Sequence, residues 1–244
     1  MEEIASRRSA KGGCVWFSNS DAVHNIPISP IEIVDTPGVL EILPGIFLGS
    51  RDVAQSKNHL FRLNIKAILN CSRRNYQCNS RIDYLHLPMM DCESFHILPH
   101  LTRGSEFIAR RLEEDKNILL HCRGNHRRCG AIIIGYLVKY RNYNIIDAYN
   151  LVKSAIDNFD LNPGFFICMC DFERESGESR TFRDIYDALE YYFIDKYYNS
   201  TRYTRDQLVN LLRECEYSIE DAEEFIRANC NVWVDTPRLV IEDF

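Results

Sequence analysis

Residues 118–137 of this 244-residue chain, ILLHCRGNHRRCGAIIIGYL, concentrate the side chains best suited to chemistry. A thiol, Cys122, stands behind His121, and a basic run follows that closes on Arg128 and Cys129. Arg123, His126, Arg127 and Arg128 crowd together between two apolar segments, where like charges repel unless an anion sits among them. A loop that opens a helix suits an anion, because the first N–H groups of the helix point into it and the dipole favours negative charge. Arg128, at the helix start, can fork two donors onto an oxyanion. Such surroundings are expected to lower a thiol pKa from about 8.5 to roughly 3.5–7.5, which would make Cys122 a thiolate nucleophile. The spacing Cys-x5-Arg leaves enough backbone to wrap a tetrahedral dianion. Arg123, Gly124, Asn125, His126, Arg127 and Cys129 are the remaining residues of that cradle.

This chemistry needs a strand before the loop and a helix after it. NILLHC is a short, continuous apolar run, the mark of a strand buried on both faces. GAIIIGYLVKY reads as an apolar helix. Upstream, VLEILPGIFLGS predicts a hairpin turning at Pro44 and Gly45. Residues 52–63 have helical periodicity through Val53, Leu60 and Leu63, while IKAILNCS and IDYLHLPM read as strands. LTRGSEFIARRLEED and NIIDAYNLVKSAI read as helices. Strands alternating with helices predict an α/β fold, with a mostly parallel central sheet flanked by helices. In such sheets ligands bind beyond the carboxyl ends of the strands, where the basic loop falls.

After residue 175 the pattern is helical. One segment carries an apolar stripe of Ile185, Leu189, Tyr192 and Phe193. Two shorter helices follow, with Thr204 and Gln207 fitting a capping box and Ser218 and Asp221 a looser one. Leu208, Leu211, Leu212, Ala222, Phe225 and Ile226 are the expected seam. The chain therefore divides into an N-terminal arm (1–38), an α/β domain (39–175) and a helical C-terminal extension (176–244).

A net charge of -6 argues against general nucleic-acid affinity. No apolar run approaches the ~18–20 residues of a membrane span, so no membrane partner is expected. The ten cysteines form no CxxC pair, and Cys168-x-Cys170 is too tight for a standard zinc knuckle. This usage points to free thiols in an intracellular compartment, cytoplasmic or nuclear.

The loop and its flanks resemble the dual-specificity branch of the cysteine-dependent protein phosphatases, whose pattern is HC-x-x-G-x-x-R-[S/T]. The similarity spans residues 39–173. ILPGIFLGSRDVA resembles the family's opening segment, IKAILNCS its strand before the variable loop, and YLHLPMMD the segment carrying the general acid. GAIIIGYLVKYRNYNIIDAYNLVKS is similar to the helix pair after the loop, and NPGFF to the family's Pro-Asn-x-Gly-Phe turn with its first two residues exchanged.

The resemblance implies a phosphatase acting on phosphotyrosine and phosphoserine/threonine proteins through a cysteinyl-phosphate. Cys122 would be the nucleophile, Arg128 the binder of phosphate and transition state, and Asp91 the general acid and base. His121 would be a supporting residue hydrogen-bonding near the thiolate. No metal or other cofactor is required, since arginine and backbone dipoles fill that role. Two departures stand out: Asn125 takes the place of the glycine, and Cys129 that of the Ser or Thr whose hydroxyl helps the thiolate leave. Asn is the best non-glycine residue for positive φ, so the loop is expected to survive.

Two alternatives stand beside this reading. One is a phosphate-binding interaction module without turnover. The other is a phosphatase for polyanions (phosphoinositides, inositol pyrophosphates or an RNA 5′-phosphate), suggested by Arg123, His126 and Arg127. The expected partners are phosphorylated proteins, with nucleic acid only as that substrate. A kinase or other protein could dock on the arm, through Arg7, Arg8, Lys11, Val15 and Phe17, or on the C-terminal helices.

Overall fold

A computed structural model describes residues 38–76, 80–124, 126–177 and 181–229. The docking pattern of the arm, Arg7 to Phe17, lies outside them. Five strands form one sheet: β1 (Leu40–Leu43), β2 (Ile46–Gly49), β3 (Ile65–Asn70), β4 (Asp83–His86) and β5 (Asn117–His121). Their order is β1-β2-β5-β3-β4; only the β1–β2 hairpin is antiparallel. The predicted α/β architecture with a mostly parallel sheet is therefore observed.

Successive side chains of a strand point to opposite faces, and here both faces are covered. Ile118 and Leu120 of β5, Ala67 and Leu69 of β3, and Ile46 and Leu48 of β2 enter one apolar cluster. Leu119, Ile68 and Phe47 enter another on the opposite face. That second layer is short: α1 (Arg51–Gln55) contributes Val53 and Ala54, and α2 (Lys57–Arg62) follows. The main layer is built from α3 (Leu98–Glu113), α4 (Arg127–Arg141), α5 (Ile145–Ala155) and α6 (Pro163–Ser176). α4 is buried at every position from Arg128 to Leu137, as expected of a helix apolar all round.

Two local expectations are corrected. Residues 52–63 form two helices, because Ser56 is extended, ends α1 through its N–H to Val53, and caps α2 by accepting from His59 N. NPGFF is the start of a helix rather than a turn alone. Asn162 caps α6 by accepting from Phe165 N at 2.8 Å, and Pro163 occupies the first helical position, where its missing N–H costs nothing.

The extension supplies α7 (Ile185–Tyr197), α8 (Arg205–Glu214) and α9 (Ile219–Asn229). The Thr204–Gln207 capping box is formed, and Ser218 Oγ accepts from Asp221 N. Leu189 and Phe193 of α7 pack with Leu208, Leu211, Leu212, Ala222 and Ile226. One expected stripe residue and one expected seam residue face solvent instead: Ile185 is 42% and Phe225 46% exposed. Tyr192 turns to the main core and donates to the Leu161 carbonyl at 2.9 Å. Among the described residues no helix is long and apolar enough to cross a membrane.

Candidate active site

Cys122 follows directly on β5, the middle strand, at the carboxyl rim of the sheet. The chain then turns through Gly124 (φ +87°) and His126 (φ +57°), both left-handed, into α4. A left-handed backbone costs glycine nothing and is uncommon for histidine. Asn125, where the family has its glycine, lies outside the described residues. His126 precedes α4 without a side-chain cap bond, and the first internal bond runs from Gly130 N to His126 O at 2.7 Å. The N–H groups of Arg127, Arg128 and Cys129 therefore belong to the open first turn, the place where an anion binds.

Arg128 is 7% exposed and its guanidinium is fixed from two sides. Nη1 donates to the Met89 carbonyl at 3.2 Å, and Nη2 donates to the Arg123 carbonyl. One bond ties the arginine to its own loop and the other ties it to the segment that leads to Asp91. A guanidinium held this way meets an oxyanion without first losing rotamer freedom.

Asp91 lies at the surface, yet it has two partners. Asn162 Nδ2 donates to its Oδ1 at 3.1 Å, and Arg127 Nη1 is 3.8 Å from its Oδ2. The same Asn162 caps α6 with its carbonyl oxygen, so one side chain orients both the helix and the carboxylate. Gly164 completes the arrangement: a Cβ there would overlap the Glu93 carbonyl, so only glycine lets α6 approach the backbone beside Asp91 so closely. Asn162 and Gly164 were not legible as parts of the site. NPGFF was the available signal, but it carries no distance to Asp91.

The remaining basic residues divide. Arg123 is exposed. Arg127 is drawn toward Asp91, and with Lys196 of α7 it also opposes the half-buried Asp160, whose carboxyl pKa desolvation pushes up. His126 lies against Cys122 and Cys129 rather than in solvent. His121, expected to support the site by a hydrogen bond near the thiolate, is fully buried and has Tyr76 Oη 2.8 Å from its Nε2. Burial, with Arg51 and His86 nearby, pulls its pKa down to about 4, so it is neutral at pH 7 and gives no proton.

The expected low thiol pKa is corrected. The contact with Cys129 and burial push the Cys122 thiol well up, against the downward pull of His126 and Arg128. Cys129 is itself fully buried, between Cys122 and Cys71, and burial holds it protonated. The physical cause is the residue type. A Ser or Thr hydroxyl would donate strongly to a thiolate, whereas a thiol is a weak donor in an apolar site.

With this geometry in view, comparison with known proteins is decisive. The family model of the dual specificity phosphatase catalytic domain matches residues 46–175. The chain belongs to the dual-specificity phosphatase family. It is 29% identical over 176 residues to human dual specificity protein phosphatase 5, covering 72% of this chain and 44% of that protein. It is 29% identical over 120 residues to rat dual specificity protein phosphatase 26, covering 46% of this chain and 57% of that one. The chain thus spans less than half of the first relative. Human DUSP28 superposes with a TM-score of 0.53 at 25% identity, over 57% of this chain and 95% of that one. A human tyrosine phosphatase-like serine/threonine/tyrosine-interacting protein gives 0.52 at 26% identity, over 57% and 98%.

Proposed function

We propose that this chain is a cysteine-dependent protein phosphatase that hydrolyses phosphotyrosine and phosphoserine/threonine esters in protein substrates. One observation carries the reading: a strand-end cysteine, an open helix N-terminus, a clamped arginine and a carboxylate tied to the same loop meet at one rim of the sheet. Cys122, as thiolate, attacks phosphorus and the ester oxygen leaves, forming a cysteinyl-phosphate. Arg128 and the N–H groups of residues 123–129 stabilise the equatorial oxygens as charge develops. Asp91 gives its proton to the leaving oxygen, and its carboxylate then takes one from the water that hydrolyses the intermediate. Residues 39–175 are assigned to catalysis and 176–244 to a helical extension. Free thiols at all the described cysteines support work in a reducing, intracellular compartment.

The test is hydrolysis of p-nitrophenyl phosphate, then of phosphopeptides, by the purified full chain against Cys122→Ser. The expected loss is at least about 10³-fold, as for other covalent nucleophiles. Equal rates in the two proteins would leave only a phosphate-binding module. A preference for inositol polyphosphates over phosphopeptides would replace the protein substrate.

A further inference from the structure

We propose that Cys122, His126 and Cys129 form a site for one soft divalent cation of the zinc class, which covers the nucleophile and reversibly silences it. The two Sγ atoms and one imidazole nitrogen lie within 4.8 Å of one another. An ion with bonds of about 2.3 Å to sulfur and about 2.0–2.1 Å to nitrogen holds its donors roughly 3.5–3.8 Å apart, so the cluster closes by small side-chain shifts. His126 Nδ1 is buried without a hydrogen-bond partner, an orphaned donor or acceptor of the kind a ligand satisfies.

Cys-x3-His-x2-Cys is not a knuckle spacing along the sequence. It becomes a cluster because the left-handed Gly124 and His126 fold the loop back on the strand end. Both thiols release their protons to solvent on binding, and the two thiolates offset the charge of the cation. Arg128 stays on the carbonyls of Met89 and Arg123. Two sulfurs and an imidazole select zinc-like ions over magnesium or calcium, and three protein donors leave the fourth position to water or a phosphate oxygen. Cys129, one of the two residues that depart from the family pattern, makes the site possible.

Binding rests on the three side chains alone; the silencing rests on the proposed phosphatase activity. The reduced full chain is titrated with cobalt(II), which reports thiolate ligation by a charge-transfer band and tetrahedral geometry by intense visible bands. One equivalent is expected to bind and to be displaced by zinc. Cys129→Ser and His126→Asn should each weaken cobalt binding by more than about tenfold. Asn keeps a residue tolerant of left-handed backbone at 126, and circular dichroism confirms that both variants fold. Full affinity in both folded variants, or no charge-transfer band at millimolar cobalt, overturns the site. In parallel, zinc should inhibit p-nitrophenyl phosphate hydrolysis in step with site occupancy and a chelator should restore it. Hydrolysis unaffected at full occupancy overturns the silencing. A chain that binds cobalt as described but hydrolyses no more than Cys122→Ser supports the site and refutes the phosphatase reading instead.

Discussion

The two halves of the site are built in opposite ways. The phosphate-loop half is buried and nearly contiguous: Cys122 is 8% and Arg128 7% exposed, and both belong to one strand–loop–helix unit. Its shape follows from β5, two left-handed residues and the first turn of α4. The half that holds Asp91, the proposed acid, is assembled at the surface from separate parts of the chain. Asp91 follows β4, Arg127 opens α4, and Asn162, seventy-one positions after Asp91, caps α6. Chemistry that needs a fixed charge cradle is placed deep, where the sheet and α4 hold it. Asp91, proposed to give and take protons, is placed at the rim, where water and a leaving group can reach it. The difference teaches that the first half tolerates little change anywhere, whereas the second can be disabled from a distance.

The largest effect that sharpens this contrast is Asp91→Ala, expected to lower kcat by about 10²–10⁴-fold on phosphoserine or phosphothreonine peptides. The loss should be smaller on p-nitrophenyl phosphate, whose leaving group needs less protonation. Equal losses on both substrates would take the general-acid role from Asp91. Gly164→Ala comes next. Its Cβ cannot share space with the Glu93 carbonyl, so the segment beside Asp91 must move, and a shift near 1 Å costs about 10²-fold in kcat. A folded Gly164→Ala protein with unchanged kcat on a phosphopeptide would show that α6 does not set the acid's position. Asn162→Ala removes one hydrogen bond to Asp91 along with the α6 cap, and a decrease of about tenfold in kcat is expected, with a modest fall in melting temperature. A fall in stability alone would reduce Asn162 to a helix cap.

The smallest effect probes the buried half. With its pKa pushed up by Cys129 and burial, Cys122 is mostly protonated at neutral pH, so its alkylation rate by iodoacetamide, which needs the thiolate but no proton from Asp91, should keep rising as pH increases into the alkaline range. Cys129→Ser replaces a weak donor by a hydroxyl that favours the thiolate, and it should move the acid limb of that profile to lower pH. An unmoved limb would show that Cys129 does not govern the thiol.

The buried half was the more legible in the sequence. Its members lie within eight positions, and strand and helix periods flank them, so Cys122 and Arg128 could be named with their setting. What that reading missed was the sign of the thiol shift. Local basicity argued for a low pKa, but burial and the placement of Cys129 between Cys122 and Cys71 depend on packing. The partner of His121 was equally out of reach, since Tyr76 comes from the segment after β3. In the other half Asp91 was proposed from resemblance alone.

The sequence by itself determined the strand–loop–helix unit, the α/β layering and the residues proposed for phosphate chemistry. These depend on short-range apolar periodicity and on residue type. Only the tertiary structure decided that Asn162 and Gly164 pack around Asp91, that Arg127 lies near Asp91 and His126 near the two thiols, and that α7 joins the main core through Tyr192. Those outcomes depend on distances between residues far apart in the chain, which no local pattern encodes.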